Sequence, residues 1–231
     1  MTLAAVFLCQ GQIVAAPCER EIINAQKISA RIVQEWPLRP AQDNPTRYVQ
    51  QIVDRLVPVI KLNMGTRNFN WPLAGKWRFL LIRDQSVNAY SAGNGQVYLT
   101  DGIYASIDSE AELAAIIAHE MAHGLTGHFC TRDEKHAIHR IGAFTQVMDI
   151  GKEMEADALA VEILQHTEYP PHAMLAVVNK LPVPKEGLKQ KALRVEALER
   201  QLKYLQVHSF SASSEFRRIR QEFKPSNALH K

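Results

Sequence analysis

The pentapeptide His119-Glu120-Met121-Ala122-His123 constrains this chain more than any other stretch, because it lies inside an apolar run that reads as a buried helix. A helix turns by about 100° per residue, so histidines four apart lie about 40° apart on one face. Both imidazoles then reach one point in space, with Glu120 beside it but off the histidine ridge. The flanking Ala114-Ala115-Ile116-Ile117-Ala118 offers no partner to a buried carboxylate, which is costly to bury alone. A metal ion accounts for all three polar residues together. H-E-x-x-H on a helix is a zinc pattern in which the Glu acts as general base rather than ligand. The alternative is a buried helix with two hydrogen-bonded histidines.

Two histidines need a third protein ligand, with a fourth position left for water. The extended pattern H-E-x-x-H-x-x-G-x-x-H would supply it locally, but Thr126 and Phe129 stand where its Gly and His belong. Gly127 and His128 are each out of register. The other solution is a carboxylate from a later helix, and Glu153-Met154-Glu155-Ala156-Asp157 opens one. Glu153 and Asp157, four apart, share a face, whereas Glu155 is turned about 200° from Glu153. Glu153 is therefore the expected ligand, and Asp157 the expected acceptor for the second ring N–H of a ligand histidine. Taken alone, these acids are an ordinary acidic helix start favoured by the helix dipole.

With Asn88-Ala89-Tyr90 and Gly95-Gln96-Val97-Tyr98-Leu99-Thr100 upstream, these motifs resemble one zinc metallopeptidase family, family forty-eight. It is the family of the HtpX heat-shock protease, the CAAX prenyl proteases, Oma1 and BepA. The resemblance covers roughly residues 45–200. It implies an α+β fold, a mainly helical zincin-like metalloprotease domain with a small β-sheet. It also implies one Zn2+ per chain on His119, His123 and Glu153, with Glu120 as base in hydrolysing peptide bonds of envelope or misfolded proteins. In this family a downstream His-Pro histidine and an Arg six residues later help stabilise the transition state. Here Leu188 stands at the His position, while Arg194 stands where the Arg falls and is the candidate catalytic residue, the alternative being a surface helix residue. The missing histidine motivates a second reading, a zinc-bound and weakly active chaperone or assembly factor; a zincin-type hydrolase of something other than polypeptide is the third. In zincins the strand before the metal helix borders the cleft. Gln96, Val97, Tyr98 and Leu99 are thus expected to pair with an extended substrate backbone, the alternative being an internal strand with no free edge.

Composition narrows the classes further. The net charge of +3 is matched by residues 208–231, where five Lys/Arg face two Asp/Glu. The remainder is balanced, which argues against a nucleic-acid surface. The amino-terminal run Leu3–Cys9 is too short to span a bilayer but suits a signal-peptide core over residues 1–16, with cleavage near Ala15 or Ala16. It lacks a basic flank, so a plain amphipathic first helix and a misassigned start stay open. A periplasmic or secreted protein with no transmembrane span follows. Peripheral or lipid-anchored attachment at Cys18 stays open, as does a Cys18–Cys130 disulfide in an oxidising compartment.

Along the chain, helices are expected over Glu19–Glu35, then Thr46–Lys61 with Pro58 bending or ending it. Trp77–Ile82 and Gln96–Thr100 read as strands, with loop and turn between them. The zinc helix, capped by Asp108 or Ser109 with Glu112, runs to about Phe129. Arg132–Met148, holding His136 and His139, is amphipathic and solvated. Helices follow to about Gln165, over His172–Leu181 and over Lys185–Val207. A single peptidase domain is placed at 17–207, and 208–231 is a basic, disordered tail.

Overall fold

The structure is a computed structural model that describes residues 18–72, 75–130, 149–206, 210–211 and 213–223. The leader reading, the Arg132–Met148 stretch with His136 and His139, and the last residues of the tail lie outside that range.

Helix α1 (Glu19–Glu35) and helix α2 (Asn44–Met64) flank the sheet, and each is amphipathic for that reason. Pro58 does not end α2. It lies on the exposed side, while Leu56, Ile60 and Met64 stay buried across it. The sheet holds β1 (Arg78–Ile82), β2 (Ala89–Gly93) and β3 (Gln96–Thr100) in the order β1-β3-β2. β1 is parallel to β3, and β2 is antiparallel to it. Side chains alternate across the sheet as the pleat requires. Phe79, Leu81, Val97 and Leu99 enter the main core, whereas Ile82, Ala92 and Tyr98 pack against Ile28 and Ile32 of α1.

β2 was not expected. Its Ala-Tyr-Ser-Ala-Gly sequence lacks the β-branched residues that signal strands, and pairing with β3 rather than local propensity makes it one. A short α3 (Asp101–Ser106) leads into α4 (Glu110–Leu125), in which every residue is buried. That explains an apolar character on all sides. The Ser109 hydroxyl accepts from the Glu112 N–H at 3.2 Å, and the Glu112 carboxylate reaches back to the Asp108 N–H at 3.1 Å. Buried Glu110 accepts from Tyr169 Oη at 2.9 Å and Arg55 Nη1 at 3.1 Å, which ties the start of α4 to α2.

Helix α5 (Ile150–Gln165) packs along α4, with Ala156 and Ala160 fully buried. Helices α6 (Ala173–Lys180), α7 (Leu188–Leu202) and α8 (Ser214–Phe223) complete the described chain. The expected fold class holds: mainly helical α+β with a small mixed sheet. The tail does not read as expected over α8. Phe216, Ile219 and Phe223, spaced three and four apart, form an apolar stripe that is buried in the main core. Cys18 and Cys130 are joined by a disulfide, their Cα atoms 5.9 Å apart, which fastens the start of α1 to the turn after α4.

Close packing fixes the α4 C-terminus against the sheet. A Cβ built on Gly124 would lie 2.5 Å from Cη2 of buried Trp77. Gly124→Ala should therefore destabilise the protein, because overpacking of about 1–3 kcal/mol exceeds the roughly 1 kcal/mol of helix propensity gained. Urea unfolding of the two proteins checks this, and a higher midpoint for the variant would contradict it.

Candidate metal centre

The N-cap Asp149, whose carboxylate accepts from the Gly151 N–H at 2.9 Å, starts α5 so that Glu153 falls in its first turn. The crossing of α5 over α4 then brings Glu153 to the two histidines. Nε2 of His119 and Nε2 of His123 lie 3.0 Å apart, and Glu153 carboxylate oxygens stand 3.5 Å and 3.3 Å from them respectively. One donor atom from each residue falls within 4.8 Å of the other two, and all three residues are buried. Glu120 is also buried, on the same helix.

The environment of each group follows from its partners. Asp157 Oδ1 is 3.0 Å from His119 Nδ1, the ring nitrogen turned away from the cluster, as the i,i+4 spacing from Glu153 implied. Arg194 on α7 grips Asp157 with Nε at 2.7 Å and Nη2 at 2.8 Å, and its Nη1 meets Glu153 at 2.9 Å. Burial alone would push His119 down, yet hydrogen bonding to Asp157 and Glu153 lifts it to about 9. Burial raises Glu120 to about 7. Glu153 is raised by burial but lowered more by the two histidines, so it ends well below the usual carboxylate range. Asp157 is likewise held down by Arg194 and His119 against the effect of burial.

This donor set suits a divalent cation. Two imidazoles and a carboxylate converge, and the buried acids Glu120, Glu153 and Asp157 outnumber the buried cations, the Arg194 guanidinium and a protonated His119. Such an excess is expensive in a protein interior unless a cation offsets it.

Two sequence expectations change. β3 is the central strand, paired on both sides, so Gln96, Val97, Tyr98 and Leu99 have no free edge for a substrate. Gln96 is further engaged by Ser29 Oγ at 2.8 Å. Among the described residues the outer strand on the α4 side is β2, the one the sequence concealed. Arg194, the candidate catalytic residue, lies beside the cluster as the charge partner of Glu153 and Asp157, while the Leu188 side chain is exposed.

One residue was missed. His128 is buried, with Nδ1 2.8 Å from His123 Nδ1 and Nε2 3.1 Å from Glu155 Oε2. A helix continued to Phe129 would turn His128 about 140° from His123. The helix instead ends at Leu125, and Gly127 at φ 70° reverses the chain, so the His128 N–H donates to the His123 carbonyl at 3.0 Å. The signal was Gly127 itself, a glycine placed to end a helix.

A buried helix presenting two histidines and a glutamate, met by a carboxylate from a second helix, is the framework of the zincin class of metallopeptidases. Residues 43–151 match the model of peptidase family M48. The chain is 25% identical over 171 residues to the beta-barrel assembly-enhancing protease of Yersinia pestis, covering 59% of this chain and 32% of that protein. It is 30% identical over 106 residues to the mitochondrial metalloendopeptidase OMA1 of Schizosaccharomyces pombe, covering 45% of this chain and 28% of the relative. A putative beta-barrel assembly-enhancing protease of Vibrio cholerae is 39% identical over 59 residues, 26% of this chain and 12% of the relative. The chain thus spans about a third or less of the length of these relatives. Among the described residues no helix is long and apolar enough to cross a membrane.

Arg194 offsets two buried carboxylates, so its loss should be costly whatever the chemistry. Arg194→Met should destabilise the metal-free protein by about 3–5 kcal/mol, the range for removing one partner of a buried ion pair. Unfolding in urea after chelation measures this, and wild-type stability would contradict the assignment.

Proposed function

We propose that the chain is a zinc-dependent endopeptidase, with His119, His123 and Glu153 as the ligands of one Zn2+ and Glu120 as the general base. The observation that carries this reading is the convergence of three buried donor atoms beside a fourth buried acid on the same helix. The family supports a metallopeptidase; the ligand roles and the substrate are the further step. Zinc held there would polarise the scissile carbonyl and lower the pKa of water to about 7.

The protein's own groups do the rest. Glu120 takes a proton from the attacking water as its oxygen bonds to the carbonyl carbon. It then gives that proton to the amide nitrogen as the carbon–nitrogen bond breaks. A carboxyl group whose pKa lies near 7 is suited to both transfers. Asp157 fixes the His119 ring so that Nε2 faces the cluster, and Arg194 keeps Asp157 and Glu153 in place. An extended polypeptide would add to the outer edge of β2 through main-chain hydrogen bonds, which favours loose sequence preference.

Substrates are taken to be envelope or misfolded polypeptides, supported by the names of the bacterial relatives and by the Cys18–Cys130 bond, which an oxidising compartment preserves. Both observations favour a periplasmic or extracellular location. Exposed Leu188, standing where the family's histidine is found, favours a zinc-bound assembly factor as the second reading.

Glu120→Gln separates the two. The amide matches the carboxylate in shape but is no base at neutral pH. Zinc content and fold should persist while kcat for peptide cleavage falls by about 10²–10⁴-fold. Wild-type cleavage by the zinc-loaded variant would overturn the mechanism. A wild-type protein that binds zinc and cleaves nothing, with the variant supporting full cellular function, would favour the assembly factor.

A further inference from the structure

We infer that His128 and Glu155 form a positioning chain for the second histidine of the cluster, His123. The inference rests on the zinc reading above. His123 divides its two nitrogens: Nε2 faces His119 and Glu153, and Nδ1 faces His128 Nδ1 at 2.8 Å. An imidazole that offers the Nε2 lone pair to a cation carries its proton on Nδ1. That N–H must donate, and the group in line with it is Nδ1 of His128.

The donation fixes the state of His128 in turn. Its Nδ1 accepts, so its one proton sits on Nε2, and Nε2 lies 3.1 Å from Glu155 Oε2. A doubly protonated His128 has no acceptor to offer and would meet His123 donor to donor. Every hydrogen bond in the series His123 to His128 to Glu155 thus has one direction, ending on a carboxylate at the surface. It parallels the series His119 to Asp157 to Arg194 on the other side of the cluster. The two ends differ: Asp157 and Arg194 are both buried, whereas the Glu155 side chain is 61% exposed. The last link should accordingly matter less than the His128 link.

The surroundings hold His128 in this place. The reversal at Gly127, φ 70°, folds it back over the last turn of α4. Its carbonyl accepts from Lys152 Nζ at 3.1 Å, at the start of α5. Cys130, two residues on, is bonded to Cys18. Three separate elements thus converge on one short turn whose inward side chain is His128. Ordering ligand rings through an outer partner is worth about 10–100-fold in metal affinity where it has been measured.

The test uses the full chain and a chelator competition for zinc, with peptide cleavage left out of the readout. His128→Ala and His128→Leu remove the acceptor and should weaken zinc binding by about 10–100-fold. His128→Asn puts a side-chain oxygen close to the place of Nδ1 and should restore most of the loss. Glu155→Gln should weaken binding by less than His128→Ala does. Absorption spectra of the cobalt-substituted proteins add a second readout, because the ligand field reports the basicity of the His123 ring. The bands should move in His128→Ala and stay near the wild-type position in His128→Asn. If His128→Ala does not fold, His128→Leu and the Asn rescue carry the comparison. Equal zinc affinity in the wild type, the Ala or Leu variant and the Asn variant would overturn the positioning role while leaving the zinc site intact. A wild type that takes up no zinc would remove the underlying reading and this inference with it.

Discussion

Burial of charge at the crossing of α4 and α5 is the condition on which the rest of this protein depends. Glu120, Glu153 and Asp157 sit with His119 and His123 in an interior that is otherwise largely apolar. Arg194 offsets part of the negative charge through three nitrogen atoms. The remainder calls for protons or a cation, and His119 and Glu120, both shifted upward, are the groups suited to take the protons. An interior of this kind is costly to build unless the polar groups are paired and fixed.

The fold supplies that fixation from several directions. α4 is enclosed on all sides, its start tied to α2 through Glu110 and Arg55 and its end pressed on Trp77. Small residues on α5 let the two helices approach closely enough for Glu153 to reach both histidines. α7 contributes one buried arginine rather than an apolar face alone, which explains why a helix so rich in charge docks against the core. The three-stranded sheet completes the wall. Its central strand is fully paired, so an extended chain can join it only from an outer edge.

Much of this was legible in the residues because it depended on helical spacing. His119 and His123 at i,i+4, and Glu153 and Asp157 at i,i+4, fixed which atoms shared a face, and tertiary packing only had to bring the faces together. What was hidden depended on chain reversals and on pairing. His128 lay out of register for a continuous helix and came into line only because Gly127 ended it. β2, with alanine, serine and glycine, had no strand signal of its own and is held by β3. α8 was concealed by the basic residues around Phe216, Ile219 and Phe223, although the spacing of those three was present. Arg194 was found through a family pattern, but its role as partner of Asp157 required the geometry of three helices at once.

The central claim is that the cluster is a metal site rather than a self-satisfied polar core. Anomalous diffraction at the zinc absorption edge, on crystals grown from protein purified without added metal and then given one equivalent of zinc, tests it most directly. The expected result is a single peak bounded by His119 Nε2, His123 Nε2 and the Glu153 carboxylate, at about 2.0–2.2 Å from each. A peak elsewhere, or an empty cluster in protein that has taken up no zinc, would contradict the account.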